Sequence, residues 1–197
     1  GLGRAMKILQ TDLPEAMVVV PARHGDARGY FTEVYQRERF AAQGIAVDFV
    51  QDNQAHNRDA GVVRGLHFQS PPRWQAKLVR VARGRIFAVA VDLRADSPRF
   101  GRHASATLTA EQGEQLFVPL GFAFGYCTLE PGCDVLYKVS DYYAPALDRG
   151  LSWDDPALGI PWPVAADKAV LSDKDRRHPA LKDLPRDWLM TLSGQKA

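Results

Sequence analysis

A mainly β fold, a sandwich or barrel of short antiparallel strands, is predicted for this sequence by three observations. Sixteen glycines and 13 prolines punctuate the chain between apolar runs that are too short for typical helices. In 77–82 and 86–92, bulky apolar residues take turns with small or polar ones, the period of a strand with one buried face. Neither GxGxxG nor GxxxxGKS/T occurs, which removes the main support for a nucleotide-binding α/β fold. In chain order the strand candidates are 16–20, 29–35, 46–52, 62–68, 76–82, 85–92, 104–108, 114–118, 123–128, 133–139 and 150–153. That number is too large for one open sheet. Segment 36–43 is an amphipathic helix candidate, and 179–192 has room for short helical turns. Internal repeats and low-complexity linkers are absent from the sequence, so one domain is expected over 6–192, with residues 1–5 before Met6 set aside as a leader.

Composition narrows the function. Hydrophobic residues make up 46% and charged residues 24%, an ordinary globular balance. A net charge of +2 is too small for the broad basic face of a nucleic-acid binder. No apolar run is long enough to span a bilayer, so a soluble, cytoplasmic protein without a membrane partner is expected. Cys127 and Cys133 fit neither a disulfide framework nor a zinc spacing and are expected to be buried thiols. The five histidines form no HxH or HxxxH pair, so no metal is expected.

Polar residues cluster inside strand-like text at Gln51-Asp52-Asn53, Arg64–Gln69 and Lys77. On a regular strand Gly65, His67 and Gln69 share one face, so a barrel interior would receive His67 and Gln69 together. Arg64 falls on the other face and must reach the site from the strand's start or across a twist. A lysine near His67 places a fixed positive charge beside a base that titrates near neutrality, a pairing suited to enolate chemistry. Tyrosines in strands are usually packing residues, and Tyr137 reads first as one, although a phenol can also deliver a proton. Residues 171–175 read as a solvated turn.

The order and spacing of these segments resemble a known family. Asp26-x-Arg28-Gly29-x-Phe31-x-Glu33, Phe49-Val50-Gln51-Asp52-Asn53, Arg64-Gly65-Leu66-His67-Phe68-Gln69, Lys77-Leu78-Val79, Leu136-Tyr137-Lys138 and Leu171-Ser172-x-Lys174-Asp175 are similar to motifs of the dTDP-4-dehydrorhamnose 3,5-epimerases, among others between Met6 and Asp175. The resemblance implies a cupin-type jelly-roll β-barrel with short flanking helices, a homodimer, and a cofactor-independent isomerase without metal. Its substrate would be dTDP-4-dehydro-6-deoxy-D-glucose, epimerised at carbons 3 and 5 to dTDP-4-dehydro-L-rhamnose. It implies that His67 is the general base, Asp175 its orienting carboxylate, Lys77 the group stabilising the enolate, and Tyr137 the acid on the opposite face. Arg28, Glu33, Gln51, Asp52, Asn53, Arg64, Asp148 and Lys174 match nucleotide and sugar contacts, with Arg28 and Glu33 reaching across the dimer.

Two positions depart from the family pattern. Phe124 stands where a histidine is usual and Ala88 where an aspartate is usual, so a buried polar pair has been exchanged as a unit for apolar residues. Losing one partner alone would strand the other at a cost of about 1–3 kcal/mol. Proton abstraction is expected to survive and sugar orientation to change. This leaves open an epimerase that inverts carbon 3 only or acts on another nucleoside diphosphate 4-keto-6-deoxy sugar, and, from a different class, a non-catalytic sugar-nucleotide binding protein.

Overall fold

The computed structural model describes residues 5–197, so all of the segment set aside as a leader except Ala5 lies outside the described residues. The strands are β1 (Lys7–Gln10), β2 (Met17–Val20), β3 (Arg23–Asp26), β4 (Gly29–Thr32), β5 (Gln51–Asn57), β6 (Val63–Gln69), β7 (Lys77–Arg83), β8 (Arg85–Asp92), β9 (His103–Thr109), β10 (Gln115–Val118), β11 (Phe122–Thr128), β12 (Cys133–Val139) and β13 (Asp148–Gly150). Helices α1 (Arg37–Ala42) and α2 (Asp173–Arg176) are short. Two antiparallel sheets face each other, one ordered β1-β2-β10-β7-β12-β5 and the other β13-β6-β11-β8-β9, while β3 and β4 form a separate hairpin.

Alternation decides what each face buries. Val79, Val81, Val135 and Leu116 of the six-stranded sheet meet Ala88, Ala90, Phe124 and Tyr126 of the five-stranded sheet in a shared interior. The intervening residues pack outward. Leu78 and Phe117 are covered by Phe40 of α1 and by Ile45. Leu66, Val89 and Val91 are covered by the C-terminal segment through Leu158, Leu189 and Trp188. Helix α1 starts where Gln36 accepts a hydrogen bond from the Arg39 amide, within the stretch expected to be helical. The tail carries 3-10 turns at Leu181–Asp183 and Arg186–Trp188.

Three boundaries differ from expectation for a physical reason. The strand expected at 46–52 lies instead at Gln51–Asn57, because Val47 and Phe49 pack on the α1 side of the sheet. Apart from Ala55, the paired stretch is polar on both faces, which hydrophobic alternation does not detect. Strand β3, Arg-His-Gly-Asp, went unseen in the same way, and its partner β4 stops at Thr32 rather than reaching residue 35. The strand expected at 150–153 is found at Asp148–Gly150, with Trp153 in an apolar cluster beside Val63 and Cys127.

Candidate active site

The five-stranded sheet supplies one wall of the site through β6. Opposite β11, His67 pairs with Phe124 but Arg64 pairs with Tyr126, so three steps of β6 match two of β11. The extra residue is a bulge, and it requires glycine. Gly65 has φ +121°, and a Cβ there would meet the Gly125 Cα and the Phe124 carbonyl oxygen at 2.8 Å. By shifting the pleat between them, the bulge puts Arg64 and His67 on the same side. The Arg64 guanidinium donates to Asn57 Oδ1 at 2.7 Å, an acceptor that also takes the Tyr126 hydroxyl at 3.3 Å. Of the two routes left open for Arg64, the strand's start or a twist, neither is used as such: a one-residue bulge brings it round.

Asp175 reaches His67 from α2, whose first turn is fixed by the Ser172 hydroxyl accepting from the Asp175 amide at 3.1 Å. Its Oδ1 lies 2.7 Å from His67 Nε2 and 3.0 Å from His178 Nε2, and its Oδ2 accepts from the Gly65 amide at 3.0 Å. Only 6% of Asp175 is exposed. Burial by itself would discourage ionisation, but the hydrogen bonds from His178, His67 and Gly65 and the charge of His67 outweigh it, holding the carboxyl below the usual range. An ionised carboxylate only accepts, so His67 carries its proton on Nε2, leaving Nδ1 as the basic nitrogen. The segment read as a solvated turn is thus a capped helix whose carboxylate is buried against the histidine.

Lys77 and Tyr137 come from the six-stranded sheet, where Tyr137 pairs with Val79 and Val139 with Lys77. Lys77 is 7% exposed, and its ammonium lies 5.6 Å from the Phe124 ring centre and 6.0 Å from that of Tyr137. Burial lowers its pKa to about 8, opposed by the negative charge of Asp148. Burial likewise pushes up the Tyr137 phenol, opposed by Asn53 and Arg64, and takes Tyr126 up to about 12. Phe124 stands between these groups, with its ring centre 6.0 Å from Tyr126 and 6.3 Å from Tyr137. Ala88 is fully buried and pairs with Tyr126.

The remaining expected residues divide by strand face. Asn53 pairs with Tyr137 and accepts from Gln51 at 2.8 Å, so both belong to the interior side of β5. Asp52 is turned the other way, bonded to Lys138 at 2.9 Å, and lines a groove of about 290 Å³ with Val34, Leu78 and Arg80. Gln69 faces inward but spends its amide on the Arg73 and Tyr142 carbonyls and the Ala144 amide, clamping the 140–144 loop. Asp148 and Lys174 bond each other at 2.8 Å. Arg28 sits in the hairpin with 90% of its side chain exposed, paired to Asp26, and Glu33 pairs with Arg39. The hairpin thus holds Arg28 out in solvent, apart from the His67 cluster. Sequence reasoning missed Asn57, Tyr126 and His178. Among the described residues, His67, Asp175 and His178 form the one cluster whose donor atoms, all within 4.8 Å, are suited to a metal ion. Hydrogen bonding within the cluster already satisfies Asp175 Oδ1.

A sequence model of the dTDP-4-dehydrorhamnose 3,5-epimerases matches residues 10–183. The chain belongs to that family. A dTDP-4-dehydrorhamnose 3,5-epimerase of Sinorhizobium fredii is 47% identical over 173 residues, 88% of each chain. Among solved structures, the dTDP-6-deoxy-D-glucose-3,5-epimerase of Legionella pneumophila, in complex with dTDP-4-keto-L-rhamnose, superposes with a TM-score of 0.90 at 38% identity, covering 94% of this chain and 98% of its own. The dTDP-4-dehydrorhamnose 3,5-epimerase of Bacillus anthracis, with TDP and PPi bound, gives a TM-score of 0.86 at 46% identity, covering 89% of this chain and 99% of its own. The two-sheet barrel is accordingly the cupin-type fold expected of the 3,5-epimerases.

Proposed function

We propose that this member of the epimerase family converts dTDP-4-dehydro-6-deoxy-D-glucose to dTDP-4-dehydro-L-rhamnose by inverting carbons 3 and 5. The observation that carries the reading is the hydrogen bond between His67 of β6 and Asp175 of α2, with Lys77 and Tyr137 on the facing sheet. His67 Nδ1 removes the proton from the carbon beside the 4-ketone. The electron pair of that C–H bond moves to the C4 oxygen, and the resulting enolate is stabilised by the Lys77 ammonium. With a pKa of about 8, most Lys77 side chains carry that charge at pH 7. Tyr137 then donates its hydroxyl proton to the opposite face of the same carbon, the enolate returns to ketone, and solvent resets the imidazolium and the tyrosinate. Repetition at the second carbon completes the change. Arg64 suits a pyrophosphate, because a guanidinium offers paired charged hydrogen bonds in a plane.

The reading includes a homodimer in the cytoplasm, in which Arg28 and Glu33 of one protomer complete the nucleotide site of the other. A second reading, inversion at carbon 3 alone or action on a related sugar nucleotide, is favoured by the apolar Phe124 ring 5.6 Å from the Lys77 ammonium and by the buried Ala88 behind it in the same core cluster. Proton NMR of the protein with dTDP-4-dehydro-6-deoxy-D-glucose in deuterated water separates these. Deuterium at both carbons with accumulation of the L-sugar is the expected result. Deuterium at carbon 3 alone supports the second reading, and no exchange with any nucleoside diphosphate sugar overturns both in favour of a binding protein.

A further inference from the structure

His178 takes no part in the proton transfers above, yet it is built into the pair that performs them. Its ring is 9% exposed and stands edge-on to His67 with centres 5.8 Å apart, and its Nε2 lies 3.0 Å from the same Asp175 oxygen that His67 uses. The fold makes room for it deliberately close to the base. Gly150 of β13 is the cross-strand partner of His67, and a Cβ at Gly150 would fall 2.2 Å from the His178 ring. The segment after His178 is tied down by the Ser152 amide donating to the Pro179 carbonyl at 2.8 Å.

We infer that His178 is a positioning residue that competes with His67 for Asp175 Oδ1 and thereby limits the proton affinity of the base. This rests on the reading of His67 as the base. The physical argument is one of sharing. A carboxylate oxygen that accepts one N–H from His67 stabilises the His67 imidazolium strongly, whereas a second N–H on the same oxygen withdraws part of that charge. With His178 in place, Asp175 Oδ1 stabilises the His67 imidazolium less than it would with His67 as its sole donor. The carboxylate is also pinned from three directions, by His67, His178 and the Gly65 amide, which fixes the orientation of the imidazole. The other titratable or charged groups of the site are Arg64 on β6, Lys77 on β7, Tyr126 on β11, Tyr137 on β12, Asp148 on β13 and Lys174 on α2. Each is retained in the variants below, so it contributes equally to every profile.

The test is the pH profile of kcat/KM for deuterium exchange into the sugar nucleotide, measured for the unaltered protein, His178→Phe, His178→Gln, Gly150→Ala and His67→Asn. His178→Phe removes the competing N–H while filling the slot, and the acid limb is expected to move up by about one pH unit. Gly150→Ala, which displaces the ring, should move it in the same direction, and His178→Gln, which keeps an N–H donor, should restore it. An acid limb unmoved in both His178→Phe and Gly150→Ala overturns the inference, as does a shift in His178→Gln equal to that in His178→Phe. His67→Asn keeps the two failures apart. If it remains active, the assignment of the base has failed, whereas an inactive His67→Asn alongside unshifted His178 variants rejects the role of His178 alone.

Discussion

The wall built by β6 and α2 holds its working group with hydrogen bonds. His67 is fixed through Asp175, and Asp175 is fixed in turn by His178 and the Gly65 amide. The facing wall from β7 and β12 treats Lys77 differently. Among the described residues no hydrogen bond to its ammonium is formed, and two aromatic rings, Phe124 and Tyr137, lie 5.6 and 6.0 Å from it. One wall stabilises a charge by surrounding it with donors, and the other destabilises a charge by taking water away. The difference suits the proposed mechanism. A base that must accept a proton benefits from a nearby anion, whereas a cation that must respond to a nascent oxyanion is most effective when nothing else competes for it.

The largest expected effect breaks the first wall. His67→Asn should lower kcat/KM by about 10³-fold, within the range for a general base, with thermal stability little changed when checked by calorimetry. Removing the opposite proton donor sharpens the comparison, since Tyr137→Phe should cut inversion by about 10²-fold while deuterium still enters from the His67 face with retention, visible by NMR. Lys77→Met should also cost about 10²-fold in rate, and its effect on stability separates desolvation from hydrogen bonding. The folded pKa of about 8 lies below the ordinary 10.5, so the protonated lysine costs stability below pH 8, and that cost fades as pH rises from 8 toward 10.5. Lys77→Met is therefore expected to be more stable by about 1–3 kcal/mol at pH 7, with the gain largely gone at pH 10.5, in urea unfolding. The smallest effect concerns a residue on neither wall. Arg28→Ala should raise KM several-fold and leave kcat and thermal stability unchanged, as steady-state kinetics and calorimetry would show.

The contrast also explains what could be read from residues alone. Strands such as β7 and β8 were legible because one face is apolar and the other is not, and the run from Arg64 to Gln69 stood out because polar groups interrupt such a strand. Strand β5 was misplaced because Gln51 and Asn53 line the interior while Asp52 and His56 face out, so both faces are polar. The bulge at Gly65 was invisible because it exists only relative to β11, and without it Arg64 fell on the wrong face. Asp175 was placed by resemblance, since nothing in Ser172-Asp173-Lys174-Asp175 reveals that the carboxylate is buried. His178 had no such help. Its partner Asp175 is close in sequence, but what makes it a partner is Gly150, and a glycine in a strand does not announce which ring will occupy the space beside it.

His67 and the carboxylate of Asp175 that bonds it are separated by 108 positions, and the order of synthesis turns that separation into a delay. At ribosomal speeds of roughly 5–20 residues per second, Asp175 is added roughly 5–20 s after His67. Strands β6 through β12 have all been made by then, so the growing chain can close its barrel around a histidine that has no anion to orient it. On the proposed mechanism turnover waits for α2 to dock, and the onset of exchange during translation would time the arrival of that last part rather than the closing of the sheets.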